Sequence, residues 1–138
     1  MTTEISVTLA DLPEAFSGYR IAQISDLHNA QFGKDNERLL DILAQCRPDI
    51  IVLTGDLFDS NHPDLEVAAL FAANAARIAP TYYVTGNHEG FARKEYAQLK
   101  PNLTEAGVHV LENRIVQLKR SGETLSLVGL HDNWFTDV

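Results

Sequence analysis

The chain has few of the residues that mark secreted or membrane-spanning proteins. Its only cysteine among 138 residues is Cys46, so no intramolecular disulfide can form. The position of Cys46 in "LLDILAQC" predicts a small core residue, which is compatible with a reducing compartment. No stretch approaches the roughly 18 to 20 apolar residues that cross a bilayer. The opening "MTTEISVTLADLPEAF" also lacks the basic start and long apolar stretch of a secretory signal. We therefore expect no membrane span and a cytoplasmic location by default, with a membrane-associated longer form as the open alternative.

Positive charge is also scarce. The 11 Lys and Arg residues face 19 Asp and Glu residues, which gives a formal net charge of −8, and no basic run interrupts it. Nucleic-acid binding depends on a positive patch that contacts phosphates, so we expect no nucleic-acid patch. A bound divalent cation would offset acidic side chains, so the acidity does not exclude an anionic substrate.

The middle of the chain alternates between strand and helix patterns, and no repeat or Pro/Gly/Ser-rich linker divides it. A hydrophobic fraction of 45% suits one packed domain of this length. Compact β-branched runs occur in "YRIAQIS", "DIIVLT" and "TYYVT", and helical patterns lie between them in "DNERLLDILAQC" and "LEVAALFAANAARIA". This order predicts an α/β fold with parallel strands and right-handed crossovers.

The two ends of the chain have strand patterns of another kind. The stretch "EISVTLA" (residues 4–10) alternates apolar and polar residues, which predicts a half-exposed strand. After residue 107 come the short strand patterns "VHVLEN", "RIVQLKR" and "TLSLVGL", and "SGE" between the last two predicts a hairpin. We therefore expect the parallel β-α-β units to give way to antiparallel strands near residue 107.

Polar residues with metal-binding groups follow three of the predicted parallel strands. Asp26 and His28 follow the first strand, Asp56 the second, and Asn87 and His88 the third. Ligands bind at the carboxyl ends of strands in open α/β sheets, so these groups should converge at one edge. Oxygen and imidazole donors without thiolate suit divalent Mn, Fe, Zn or Ni. A carboxylate shared by two ions would hold them roughly 3.5 to 4 Å apart.

The order of these motifs carries more information than any one of them. Gly55 and Gly86 precede two of the polar groups and predict sharp turns there. A single "GD" or "GNH" is more often a turn or a helix cap than a ligand site. Three such motifs in strand context favour a metal site over that simpler interpretation.

The blocks "ISDLH" (residues 24–28), "TGDLFD" (residues 54–59) and "TGNHE" (residues 85–89) resemble the first three blocks of the calcineurin-like metallophosphoesterases. The chain is similar in particular to the bacterial branch whose domain opens with an "LP…G…RIAQISDLH" pattern, as residues 12–28 do here. The resemblance implies the first half of an αββα two-sheet sandwich. It also implies metal-dependent hydrolysis of phosphomonoesters or phosphodiesters at a dinuclear centre.

The resemblance also assigns a role to each matching residue. Asp26 and His28 would bind the first divalent metal ion, and Asp56 would bridge both ions. Asn87 would bind the second ion. His88 would be the general acid that protonates the leaving oxygen of a phosphate-ester substrate, or would steady its phosphoryl group.

The sequence departs from the family pattern in its histidines. That pattern continues with a further histidine and a "GHxH" segment, whereas the histidines here, at positions 28, 62, 88, 109 and 131, form no H-x-H pair. We therefore expect residues 1–138 to be a partial metallophosphoesterase domain that lacks the carboxyl-terminal GHxH portion. The second metal site would then be weak or empty. An exposed sheet face would favour a homodimer.

Two alternatives stay open at this point. In the first alternative, the chain is a non-catalytic phosphoesterase-fold fragment whose metal site needs another polypeptide segment. A response-regulator-like α/β domain would explain the acidic strand ends, but it would not explain Asn87 and His88.

Residues beside the motifs have simpler interpretations. We expect Asp59 to form a turn or helix cap and Glu89 to lie behind the ligands or at the substrate edge. Phe91 and Tyr96 are predicted to pack in the following helix. His131 is predicted to be a loop histidine beside Trp134, with replacement of a missing ligand as its alternative.

Overall fold

The structure is a computed structural model that describes residues 2–132. Four parallel strands form its main sheet. They are β1 (Ile21–Ile24), β2 (Ile50–Leu53), β3 (Thr81–Tyr83) and β4 (His109–Val110), and they lie side by side in chain order. Every neighbouring pair in this sheet is parallel. The α/β fold predicted from the sequence is confirmed.

The register of the sheet aligns the ends of its first three strands. Ile24 at the end of β1 pairs with Leu53 at the end of β2, and Leu53 pairs with Tyr83 at the end of β3. The polypeptide therefore leaves all three strands at the same edge, and the polar motifs that follow them start side by side.

In residues 2–132, the strands are connected by the α-helices α1 (Glu37–Gln45), α2 (Leu65–Ile78), α3 (Asn87–Phe91) and α4 (Arg93–Glu105). All of them except α3 share one hydrophobic core with the sheet. A single buried cluster joins residues of three helices to the sheet: Leu43, Phe71, Ala72, Leu99, Leu103, Ile51, Leu53 and Tyr83. The small alanines of α2 allow neighbouring elements to approach closely. The helices thereby fix the strands whose ends carry the polar motifs.

A two-stranded antiparallel hairpin follows the sheet, as the sequence predicted. Its strands are β5 (Arg114–Arg120) and β6 (Glu123–Gly129). The connecting residues Ser121 and Gly122 both have positive φ, 50° and 81°. That geometry matches the right-handed twist of paired strands. Leu118 of the hairpin joins Ile50 and Phe16 in a second buried cluster, so the hairpin packs on the sheet.

Two expectations for the ends of the chain are wrong. Residues 4–10 form no strand, and their apolar side chains Ile5, Val7 and Leu9 are 78%, 71% and 58% exposed. An alternating pattern becomes a strand only when a neighbour satisfies its backbone hydrogen bonds, and this segment has no strand partner in residues 2–132. The antiparallel part begins at β5 rather than near residue 107, because α4 returns the chain to the sheet and β4 pairs parallel with β3.

None of the helices formed by residues 2–132 combines the length and the apolar character needed to cross a membrane.

Truncation of the buried Leu103 tests the shared core. Leu103 is fully buried, so Leu103→Ala should lower the free energy of unfolding by about 2–5 kcal/mol. The matched control is Leu70→Ala on α2, where the leucine is 43% exposed and the loss should stay below about 1 kcal/mol. Urea unfolding followed by circular dichroism measures both, and equal losses would contradict the proposed position of the core.

Candidate metal centre

Asp26, His28 and Asp56 meet at the carboxyl edge of the sheet. Their potential ligand atoms all lie within 4.8 Å of one another. The His28 Nε2 atom lies 3.6 Å from Asp26 Oδ1 and 3.8 Å from Asp56 Oδ2. The three residues come from two different strand ends, so the parallel sheet brings them together. Two carboxylates and an imidazole around one point can bind a divalent cation.

The backbone at these three residues is held in an uncommon conformation. Asp26, His28 and Asp56 have φ values of 57°, 49° and 55°. Left-handed backbone in residues other than glycine is sparsely populated and concentrates at functional sites. Hydrogen bonds between the turns maintain it, because Asp26 N–H donates to the Gly55 carbonyl at 3.1 Å and His28 N–H donates to the Asp56 carbonyl at 2.9 Å. The two turns therefore hold each other in place.

Gly55 and Gly86 allow the turns after β2 and β3 to touch. Gly55 has φ of 98°, and a Cβ added there would lie 2.6 Å from Gly86 Cα. A Cβ added at Gly86 would lie 2.8 Å from the amide nitrogen of Asp56. Real Cβ atoms do not approach backbone this closely, so both positions require glycine. The predicted sharp turn is confirmed at Gly55, whereas Gly86 has extended backbone, with φ of −108° and ψ of −172°, and needs glycine only because the Asp56 turn packs against it.

His88 lies beside this group of ligand-type side chains. Its ring meets the His28 ring edge-on, with centroids 4.4 Å apart. The backbone N–H of His88 donates to Asp56 Oδ1 at 2.8 Å. Ser60 N–H donates to His88 Nδ1 at 3.0 Å, so in the neutral imidazole the proton sits on Nε2. This arrangement leaves His88 with an Nε2–H donor.

Asp59 forms the turn predicted for it and also lies close to His88. Its Oδ1 accepts the N–H of Asn61 at 2.9 Å, which is the expected turn. The same atom lies 3.8 Å from His88 Nδ1. Asp59, His28 and His88 form a second group whose ligand-type atoms lie within 4.8 Å of one another. Sequence reasoning missed this contact, because the spacing of Asp59 from Asp56 indicates only a local turn.

Asn87 occupies the first position of α3, directly after Gly86, and is half-buried. It therefore starts at the same sheet edge as the other ligand-type residues. Its role as a metal ligand remains a prediction.

Glu89 is fully buried beneath the centre. Its carboxylate accepts hydrogen bonds from the backbone amides of Asp56, Leu57 and Gly86 at 3.0, 3.1 and 3.2 Å, and from the Tyr83 hydroxyl at 2.6 Å. A side chain with no exposed surface cannot lie at a substrate edge. Of the two positions expected for Glu89, the one behind the ligands is therefore observed.

The acidic groups of the centre perturb one another. Burial raises the pKa of Asp56 to about 6, with smaller contributions from Asp26 and Glu89. The hydrogen bond with Asp56 lowers the pKa of Asp26. Two carboxylates this close ionise together only with a compensating positive charge. The arrangement therefore favours a cation at this position.

The remaining candidates lie around the centre. His131 Nδ1 is 3.0 Å from Thr85 Oγ1, and its Nε2 is 3.8 Å from Glu112 Oε2. Within residues 2–132, His131 belongs to neither group of ligand-type side chains, which agrees with a loop histidine. Trp134, expected beside it, lies outside the described residues.

The two aromatic residues predicted to pack behave differently. Tyr96 is buried, and its hydroxyl donates to Glu112 at 3.1 Å, so that prediction is confirmed. Phe91 is 52% exposed, and its ring lies 5.9 Å from the His88 ring, so the prediction for Phe91 is wrong. The helix α3 ends at Phe91 after five residues, too few to present a full apolar face to the core.

A parallel sheet with acidic and imidazole side chains gathered at its carboxyl edge places the chain among α/β proteins with a candidate metal site. The model of the calcineurin-like phosphoesterases matches residues 19–137. The chain therefore belongs to the calcineurin-like phosphoesterase family.

Relatives with curated names agree with this assignment. The uncharacterized metallophosphoesterases YkuE and YkoQ of Bacillus subtilis are 27% and 29% identical over 95% and 93% of this chain, and the matches cover 47% and 48% of those proteins. The "transmembrane protein with metallophosphoesterase domain" of Danio rerio is 24% identical over 94% of this chain and 30% of its own length. The chain thus spans about half, or less, of these relatives.

A solved structure shares the fold. The phosphopantetheinyl hydrolase PptH of Mycobacterium tuberculosis aligns with a TM-score of 0.57 and 21% sequence identity. The alignment covers 80% of this chain and 41% of that protein. The expected phosphoesterase fold class is confirmed.

Substitution of Gly86 tests the contact between the turns. Gly86→Ala should displace the Asp56 turn, because the new Cβ overlaps backbone, and should lower the free energy of unfolding by about 1–3 kcal/mol. The matched control is Gly107→Ala, where φ is 90° but no atom lies within 4 Å, so about 1 kcal/mol of backbone strain is expected without a clash.

Amide NMR shifts report the displacement. The signals of Asp56 and His88 should move in Gly86→Ala and stay in place in Gly107→Ala. Unchanged Asp56 signals in a folded Gly86→Ala variant would contradict the close packing.

Proposed function

We propose that this chain carries a metal-dependent phosphoesterase site that hydrolyses phosphomonoesters or phosphodiesters. The observation that carries the proposal is the convergence of Asp26, His28 and Asp56 within 4.8 Å, in a member of the calcineurin-like phosphoesterase family. The residue roles are those that the family resemblance implies.

The side chains present fit a first divalent ion. Asp26, His28 and Asp56 supply two carboxylates and one imidazole, a donor set suited to Mn, Fe, Zn or Ni. A bound divalent ion supplies Lewis-acid chemistry that polarises a phosphoryl oxygen and balances developing negative charge.

A second ion would have fewer protein ligands within this chain. Asp56 as a shared carboxylate and Asn87 are the residues assigned to it, and two protein ligands hold an ion weakly. We therefore propose a dinuclear centre whose second site is weak or empty in this chain alone.

His88 supplies the proton chemistry in this proposal. Ser60 N–H donates to Nδ1, so the neutral ring presents Nε2–H and can donate a hydrogen bond from it to a phosphoryl or leaving oxygen. Proton transfer would start from the imidazolium, with its Nδ1–H toward Asp59 Oδ1, 3.8 Å away, and would leave the neutral ring after Nε2 gives up its proton. His88 is therefore suited to donate a proton to the leaving oxygen of a phosphate ester.

The alternative function is a phosphoesterase-fold unit whose metal site is completed by another polypeptide segment. The length of the match supports this alternative, because the matches cover only 47% and 48% of the two Bacillus subtilis relatives. It is also favoured by the small number of ligands assigned to the second ion.

A homodimer is the partner hypothesis that follows from exposed apolar surface. The cross-strand pair Ile115 and Val128 on the hairpin is 65% and 55% exposed, and Leu130 is 66% exposed. Light scattering over a concentration series should show a mass above that of one chain, and a constant monomer mass would contradict the dimer.

The place of action is a further proposal. The Danio rerio relative is named a transmembrane protein, so we propose membrane association of a longer form as the alternative to a cytoplasmic location. Fractionation of cells that express the natural gene would distinguish the two locations: the protein would be found in the membrane fraction or in the soluble fraction.

Titration with Mn²⁺ tests the first metal site. The metal-stripped chain should bind one ion weakly, and Asp56→Asn should abolish binding because it removes the shared carboxylate. Asp41→Asn, an exposed Asp-to-Asn change on α1, is the matched control and should bind like the wild type. Isothermal calorimetry measures all three. Two tight sites with aryl-phosphate turnover would contradict the weak second site, and undiminished binding by Asp56→Asn would contradict the ligand assignment.

The leaving group tests the role of His88. With saturating Mn²⁺, His88→Asn should lower kcat for phenyl phosphate by roughly 10²- to 10⁴-fold, because the phenolate leaves poorly without a proton. The loss should be smaller for p-nitrophenyl phosphate, whose leaving group needs less protonation. His109→Asn, on the exposed face of β4, should leave both rates unchanged. Equal losses on the two substrates would contradict general-acid catalysis.

A further inference from the structure

The carboxylate of Glu89 connects two turns that carry candidate site residues. Oε2 accepts the amides of Asp56 and Gly86, and Oε1 accepts the amide of Leu57 and the hydroxyl of Tyr83. Asp56 and Leu57 belong to the turn after β2, whereas Gly86 belongs to the turn after β3. One side chain therefore holds both turns from below.

The burial of Glu89 requires these contacts. A carboxylate with no exposed surface is strongly destabilising unless hydrogen-bond donors surround it. Its donors are three backbone amides and one hydroxyl, and hydrogen bonds to an ionised acceptor are stronger than neutral ones. Burial also raises the pKa of the Tyr83 hydroxyl, so that group stays protonated and donates. The buried carboxylate of Glu89 is thus stabilised by three backbone amides of the turns and by the Tyr83 hydroxyl.

The position of the Asp56 side chain depends on the same turns. Its Oδ1 accepts the amide of His88, which lies two residues beyond Gly86. Gly55 and Gly86 are packed so closely that neither accommodates a Cβ. A small separation of the turns would therefore move Asp56 relative to Asp26 and His28.

We propose that Glu89 is the positioning residue of the metal centre, which sets the spacing between the Asp56 turn and the Asn87–His88 segment. The inference rests on the proposed metal-binding function of Asp56. Glu89 would touch neither ion nor substrate, because it is fully buried and its oxygens accept hydrogen bonds from the turn amides and Tyr83. It acts through Asp56.

The chemistry of a Glu89→Gln substitution makes the proposal testable. An amide group has the same shape, but one of its two ends is a donor. With the NH₂ end toward Asp56 and Gly86, both amides lose their acceptor. With the NH₂ end toward Tyr83, the hydroxyl can rotate to accept, but the amide of Leu57 still faces a donor. Each orientation disrupts at least one turn.

Metal affinity is the first measurement. Mn²⁺ binding to the full chain is titrated calorimetrically for wild type, Glu89→Gln and Leu103→Ala, at a temperature where circular dichroism shows each to be folded. Glu89→Gln should bind roughly 10- to 100-fold more weakly, the range expected for residues that orient metal ligands. Leu103→Ala controls for lost stability and should keep the wild-type affinity. A folded Glu89→Gln variant with wild-type affinity would overturn the proposal.

Amide hydrogen exchange in the metal-free chain separates this inference from the proposed function. In Glu89→Gln, at least one of the amides of Asp56, Leu57 and Gly86 should lose protection. The amide of Val84, which donates to the Leu53 carbonyl at 3.0 Å, should keep it. Absence of Mn²⁺ binding by the wild type would refute the metal function, and exchange would then decide alone whether Glu89 holds the turns. Unchanged protection would overturn the inference.

Tyr83→Phe covers the case in which Glu89→Gln does not fold. It removes one donor to Oε1 and no backbone contact. We expect Mn²⁺ binding several-fold weaker than in the wild type and faster exchange at Leu57, whose amide shares that oxygen. Wild-type values for both would count against the positioning role.

Discussion

The arrangement of the candidate site depends on one buried negative charge. The Glu89 carboxylate is surrounded by donors from the turns after β2 and β3, and without it three backbone amides would lack their acceptor. Buried amides without partners are costly, so the two turns and the carboxylate are stable only together. Close packing at Gly55 and Gly86 then transmits this constraint to the Asp56 side chain above.

The sheet and the site solve different physical problems. Apolar side chains of the connecting helices pack on the sheet and stabilise it, and the hairpin packs on it as well. Neither contribution depends on the polar residues at the carboxyl edge of the sheet. At that edge, Asp26 and Asp56 crowd together, and burial raises the pKa of Asp56 to about 6. The scaffold therefore holds acidic groups in positions that a cation would favour and that they would not adopt by themselves.

Local patterns predicted the parts of the fold that depend on nearby residues. The parallel strands and the hairpin follow from compact apolar runs and a two-residue turn, and the structure has them. The strand expected at residues 4–10 is absent, because an alternating pattern does not specify a hydrogen-bond partner. Phe91 was expected to pack because it is aromatic, but the short helix α3 leaves it half exposed. The first error concerns a long-range strand partner, and the second concerns the length of a short helix.

The sequence by itself determined the family, the chemical types at the strand ends and the presence of glycine before Asp56 and Asn87. Only the tertiary structure decided that Asp26, His28 and Asp56 meet within 4.8 Å, that Asp59 reaches His88, and that Glu89 lies beneath the ligands. The physical reason is the register of the parallel strands. Residues about thirty positions apart in the chain become neighbours only when that register is set, and the register is fixed by packing of the whole core.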